Sequence, residues 1–322
     1  MKRLFTVLLA LTACVSVWAG ASPRAADGDL AVNVMVLNGA TGFGMAKLMA
    51  DSEAGDAALN YSFDVETDAS NVTAGLINGG CDIAALPTNA AAALYSKTQG
   101  GVQLLALNTR GVLYLVVNGE ALTVQSMADL EGLTVYAPAQ NPAFLFQALC
   151  DAAQVHVTVD DSYAQPADLR TALASGEVDA AVLPEPMVTI ACAANDSLVP
   201  ALDLTAQWEQ VYPEDSLVQG CVVARRSFIQ DHPAEVAAFL EEYGASVAFA
   251  QEEPEQAAQL IEQTGVFTNA AVAEKALPRC NLCFITGDEM RESMDGFLQI
   301  LCGVAPQSIG GAVPDGDFYY EG

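Results

Sequence analysis

The sequence predicts an α/β protein of two similar three-layer α/β lobes around an inter-lobe cleft, with C-terminal helices. Three observations predict it. Strand-like and helix-like segments alternate from Val32 onward, the pattern of sheets covered by helices on both faces. The strand segments are near-continuous apolar runs, as expected of parallel strands buried on both sides. A motif also recurs 97 residues apart: Leu76-x-x-Gly79-x-x-Asp82-x-Ala84-x-Leu86-Pro87 matches Leu173-x-x-Gly176-x-x-Asp179-x-Ala181-x-Leu183-Pro184. The pairing extends to Val102 with Val199 and Leu105 with Leu202, so two lobes of common plan are expected.

The elements follow in order. Val32 to Leu37 is the first strand, and Asn38 to Gly42 is a loop opening a helix from Phe43 to Ala50. Tyr61 to Glu66 alternates as a strand. Asn71 to Asn78 is a helix stopped by Gly79-Gly80, and Asp82 to Leu86 is a strand. Pro87-Thr88-Asn89 starts an Ala-rich helix, and Gln103 to Leu107 and Gly111 to Val117 are strands. The pattern then restarts: a helical turn at Ser126 to Leu130, a strand from Leu133 to Ala137, a loop from Pro138 to Pro142 and a helix to Ala153. A strand from Val155 to Val159, a helix from Pro166 to Ala174 and a strand from Val178 to Leu183 complete it, and Pro184-Glu185-Pro186 leads into another helix. The remainder reads as helical. Asp231-His232-Pro233 caps a helix to Ala250, with Pro233 suited to its first turn. Pro254 to Gln263, Thr268 to Ala276 and Asp288 to Leu301 follow, and the tail from Gly310 reads as loop.

With 12 Lys and Arg against 40 Asp and Glu, the net charge is −28. Such a surface repels nucleic acid and anionic membranes, so neither is expected as a partner. The first residues read as an export signal: basic Met1-Lys2-Arg3, then an apolar run from Leu4 to Leu11 too short to span a bilayer stably. Leu11-Thr12-Ala13-Cys14 has the pattern of a bacterial lipoprotein cleavage box, with Cys14 as the lipidated residue. Cleavage after Ala21, at Ala19-Gly20-Ala21, is the alternative, and Cys14 is then a chance cysteine. The leader is thus residues 1–21. The mature chain is expected outside the membrane, tethered by lipid or else secreted or periplasmic.

Seven cysteines follow, most of them inside apolar segments, and read as buried free thiols; a disulfide among them is the alternative. Cys280-Asn281-Leu282-Cys283 is a lone C-x-x-C, and with only His156 and His232 in the chain no metal site or cofactor is expected.

Four loops each follow a predicted strand and open a helix. In open α/β sheets ligands bind beyond the carboxyl ends of strands, where helix N-termini present free N–H groups. The loops contribute Asn38, Gly39, Thr41 and Gly42; Pro87, Thr88 and Asn89; Asn141 and Pro142; and Glu185 and Pro186. Asn108 and Arg110 lie close by in sequence. Gly39 and Gly42 allow close backbone approach. Thr41 and Thr88 serve equally well as helix caps, the prolines as helix starts, and Glu185 as a complement to its own helix dipole.

Along this path, Val34-Met35-Val36-Leu37-Asn38-Gly39, Gly79-x-x-Asp82-Ile83-Ala84, Asp129-Leu130-x-Gly132-x-Thr134-Val135 and Leu183-Pro184-Glu185-Pro186 resemble substrate-binding proteins of ABC importers. The similar subgroup serves nitrate, sulfonates, taurine and thiamine-precursor pyrimidines. The resemblance spans Val32 to Ala250. It implies a periplasmic binding protein type II-like fold whose lobes are joined by two crossing strands and close on ligand. Lobe one is expected over residues 28–117 with 218–322 and lobe two over 118–217, with crossings near Val116 to Gly119 and Leu217 to Gly220. The resemblance further implies a small-molecule ligand, a permease and an ATPase as partners, a monomer, and no catalysis. Cations near the loops are few, so a neutral or weakly charged heterocycle is the first expectation, and a small organic anion, held by helix N-termini, the second. Two other functions share the fold: a ligand-sensing partner of a membrane receptor, and an enzyme like the thiamine-precursor synthases. The two histidines fall in no nucleophile–His–carboxylate set, which disfavours the enzyme.

Overall fold

The computed structural model describes residues 30–322. The export signal, Cys14 and the Ala19-Gly20-Ala21 site lie outside the described residues. The first lobe begins with β1 (Ala31–Leu37), α1 (Ala40–Phe43), α2 (Ala46–Ala54), β2 (Asn60–Glu66), α3 (Ala69–Asn78), β3 (Ile83–Pro87), α4 (Thr88–Lys97) and β4 (Val102–Arg110). The second holds β5 (Leu113–Asn118), β6 (Thr134–Tyr136), α5 (Asn141–Ala152), β7 (Thr158–Asp160), α6 (Pro166–Ser175), β8 (Ala180–Pro184), α7 (Met187–Ala194), β9 (Leu198–Asp203) and α8 (Leu204–Val211). The chain returns with β10 (Val218–Arg225) and continues through α9 (Arg226–Asp231), α10 (Pro233–Glu252), α11 (Pro254–Gln263), α12 (Ala270–Ala276), β11 (Leu282–Ile285) and α13 (Gly287–Val304).

The strands form two mixed sheets, ordered β11-β4-β10-β3-β1-β2 and β7-β6-β8-β5-β9. Parallel pairing, expected throughout, holds for β1 with β2 and β3, and for β6 with β7 and β8. Apart from the antiparallel edge strand β11 on β4, the exceptions have one cause. Each crossing segment delivers a strand that enters its new sheet from the cleft end, so it runs against its neighbours. β10 is inserted antiparallel between β3 and β4, and β5 antiparallel between β8 and β9.

This topology corrects two expectations. The first crossing is at residues 111–112, not near Val116 to Gly119, because Leu113 to Val117 pair with β8 in the second sheet. A lobe boundary at residue 117 therefore cuts off a central strand of lobe two. Leu282–Ile285, in the remainder that reads as helical, forms the edge strand β11. Four residues are too few for a period to show.

Burial follows the alternation of the strands. Val32, Val34 and Val36 face α2 and α10, packing with Phe43, Phe239 and Tyr243, while Ala84, Leu86 and Leu104 face the opposite layer. In lobe two, Tyr114, Val116, Ala181 and Leu183 pack on Leu169, Leu173 and Val188. The C-terminal α13 joins the lobes: its Phe297 ring lies 5.9 Å from that of Trp208 of α8, tilted by 48°, and it packs on α5.

Candidate functional site

Loops from both sheets and the first crossing enclose a cavity of about 310 Å³. β1 ends at it through Leu37, Asn38 and Gly39, β3 through Pro87, and β8 through Pro184, Glu185 and Pro186; α5 begins on it with Asn141 and Pro142. Val112 and Leu113 of the crossing, Met187 and Phe267 make most of the rest apolar. Gly39 has φ +85°, which L side chains rarely adopt, and a Cβ there would stand 3.9 Å from Cδ of Pro186 on the other lobe. The lobes thus nearly touch across the site.

Of the predicted site residues, Asn38, Gly39, Thr41, Pro87, Asn141, Pro142, Glu185 and Pro186 are brought together on this cavity. Five are not. Gly42 is packed inside α1. Thr88 is fully buried and its hydroxyl donates to the Val218 carbonyl (2.8 Å), so its polar atom serves the fold. Asn89 is buried beside it, and Asn108 donates through Nδ2 to the Thr41 carbonyl (3.1 Å), holding α1 in place. Arg110 turns away from the cavity, toward Ser216 and Glu289. Thr109 and Gln219 line the wall instead, and Gln219 Oε1 accepts from the backbone N–H of Val112 at the crossing (2.7 Å). Asn141 lines the cavity, and its Oδ1 is buried without a hydrogen-bond partner among the described residues.

Glu185 is the charged residue of the wall, and its carboxylate is fully buried. One oxygen accepts from Thr189, through both the backbone N–H (3.2 Å) and the hydroxyl (2.9 Å). The other accepts from Nε of Arg279, whose Nη2 donates to the Thr189 hydroxyl (2.7 Å). Arg279 follows α12 and is flanked by Leu277 and Cys280 in the lobe-one core, so the pair spans the lobes. Tyr114 of β5 adds a bond from its hydroxyl to the Arg279 carbonyl (3.1 Å). Burial, with Asp203 and Glu185 nearby, pushes the Tyr114 phenol above its ordinary range, so it stays a donor. The sequence offered no local signal for Arg279, which stands 94 residues from Glu185.

A sequence model described as NMT1/THI5 like matches residues 56–257, well over half of the chain. The chain belongs to the NMT1/THI5-like family. Solved structures share the fold of this NMT1/THI5-like protein. An ABC transporter structure from Parabacteroides distasonis is 24% identical with a TM-score of 0.77, covering 91% of this chain and 99% of that one. The periplasmic aliphatic sulphonate binding protein SsuA of Escherichia coli is 16% identical with a TM-score of 0.69, covering 91% and 94%. A protein of generic periplasmic binding protein fold from Candida albicans is 12% identical with a TM-score of 0.54, covering 90% and 93%. No curated protein sequence matches the chain. Among the described residues of this NMT1/THI5-like chain, no group of three or more His, Cys, Asp or Glu could hold a metal ion, and no helix is long and apolar enough to cross a membrane.

Proposed function

We propose that this chain is the extracytoplasmic solute-binding component of an ABC importer. It captures a small organic molecule between its lobes, delivers it to the permease and catalyses nothing. The cavity supports this reading most. It has the volume of a small-molecule site, it is mostly apolar with a few convergent polar groups, and both lobes build it. Asn38, Thr41, Asn141 and the Pro186 turn contact the solute in this reading, and Cys14 carries the lipid that tethers the chain.

The test is native mass spectrometry of the full chain purified from its host, followed by a thermal-shift screen of small metabolites. A carried or saturable small molecule is expected. The absence of both a bound mass and any stabilising compound would sink solute capture. Lipid labelling of the wild type, lost in Cys14→Ser, tests the tether, and a chain released into the medium after cleavage at Ala21 overturns it.

A further inference from the structure

Solute-binding sites recognise ions by placing an opposite charge or free donors against them, since an ion taken from water without a partner is strongly disfavoured. In this cavity no Lys, Arg or His is among the lining residues described. Arg110 is engaged with Glu289 and Ser216 on another side. The cation that stands behind the wall is Arg279, which gives Nε to Glu185 and Nη2 to Thr189 while its side chain stays 38% exposed. Glu185 has one oxygen on Arg279 and the other on Thr189. The Glu185 carboxylate is thus matched by the Arg279 guanidinium, and the pair carries no net charge at the wall. What remains for a solute is apolar surface and uncharged amides and hydroxyls, among them those of Asn38, Thr41 and Asn141.

Resting on the solute-binding reading above, we propose that the Glu185–Arg279 pair sets specificity: by neutralising Arg279, Glu185 makes the site select an uncharged solute bearing an N–H or O–H donor, and reject organic anions. The rejection is built from a masked cation, an element placed against the wrong partner as much as for the right one. Removing the Glu185 charge leaves one uncompensated guanidinium at the wall, so the same change that weakens the pair creates an anion site. Arg279 acts through the electrostatics of the wall and is a positioning residue in this scheme.

The test is calorimetric titration of the full chain with isosteric pairs that differ in charge: benzamide with benzoate, nicotinamide with nicotinate, and benzenesulfonamide with benzenesulfonate. The wild type is expected to prefer the uncharged member by at least about tenfold. Glu185→Gln should narrow or reverse that ratio by about tenfold, at low salt more than at high. The double variant Glu185→Gln/Arg279→Gln, which restores a neutral wall, should recover the wild-type preference; melting curves confirm that each variant is folded. A wild type that prefers the anions overturns this inference and leaves solute capture standing, as does a ratio that ignores Glu185→Gln in a folded protein. Saturable binding of neither member of any pair overturns this inference, and the metabolite screen then decides solute capture separately.

Discussion

Gly42 lies so close under Leu37 that a Cβ on it would stand 2.3 Å from the Leu37 carbonyl oxygen. The side chains of Val36 and Val266 would be 2.9 Å away on the same position. Backbone cannot give way as a side-chain tip can, so the glycine is required by the seat of α1 against β1, not by a ligand. Gly42→Ala should cost about 1–3 kcal/mol in chemical denaturation, and more if α1 shifts as a unit. Because α1 carries Thr41 to the cavity, the variant should also lose solute affinity. A Gly42→Ala protein with unchanged stability would mean that α1 has room this packing denies.

The two aspartates of the internal repeat have parted company. Asp82 is buried, pairs with Arg225 and accepts both the backbone N–H and Nδ2 of Asn33 (3.0 Å each). It ties β3 to β1 and to the start of α9. Its counterpart Asp179 is exposed, with a side-chain bond from Asn118 at 3.3 Å. Asp82→Ala should therefore destabilise by about 2–3 kcal/mol, since it leaves buried donors unmatched. Asp179→Ala should stay within about 0.5 kcal/mol, as surface changes do. Equal losses in urea denaturation would contradict the division of roles.

That pair also shows how far the sequence could be read. Repetition and the apolar strands carried the two lobes, and strand ends followed by Pro or Gly, a local signal, located part of the cavity wall. Arg225, at the end of β10, is half-buried by a partner 143 residues away that no local pattern points to. Arg279 was missed for the same reason: an ion pair between distant segments leaves no periodic trace. The first crossing was placed late because Leu113 to Val117 look alike as the last strand of one sheet or the first of the next. Thr88, Asn89 and Asn108 stood at the right strand ends, but which way a side chain turns depends on the antiparallel β10, whose insertion the alternation does not reveal.

The thiols should be inert. Burial pushes Cys81, Cys150 and Cys283 up to about 12, and raises Cys221 and Cys280 well above the ordinary thiol range. At pH 8 a thiol of that pKa is roughly one part in 10⁴ thiolate, and these five are also out of reach of reagent. Cys302 and Cys192 are half-buried, and burial raises Cys192 too. Iodoacetamide labelling at pH 8, read by peptide mapping, should modify Cys302 first and Cys192 more slowly. The five buried cysteines should react only after denaturation. Fast native labelling of Cys280 or Cys283 would show that the segment beside Arg279 opens in solution.

Asn141 and Thr88 make opposite predictions from similar positions. Both begin a helix at the end of a strand loop, and both were expected to serve a ligand. Thr88 gives its hydroxyl to Val218, so Thr88→Ala leaves a buried carbonyl unmatched and should lower stability by about 1–3 kcal/mol. Its effect on affinity should be small, because no polar atom of the cavity is removed. Asn141 is the reverse case. The residue lines the cavity and its buried Oδ1 bonds to nothing described, so the folded protein already bears the cost of that unmet acceptor. Asn141→Ala should leave the melting temperature unchanged or raised, Ala being the better helix former. A bound solute with a donor loses its partner in the variant, a penalty of about 1–3 kcal/mol, or roughly 5- to 150-fold in affinity. Calorimetry with the tightest uncharged binder, set beside melting curves for both variants, separates the two. His156→Gln, changing an exposed side chain paired with Glu131, serves as the control that should alter neither. If Asn141→Ala costs stability and spares affinity while Thr88→Ala does the opposite, the polar lining of the cavity has been assigned to the wrong residues.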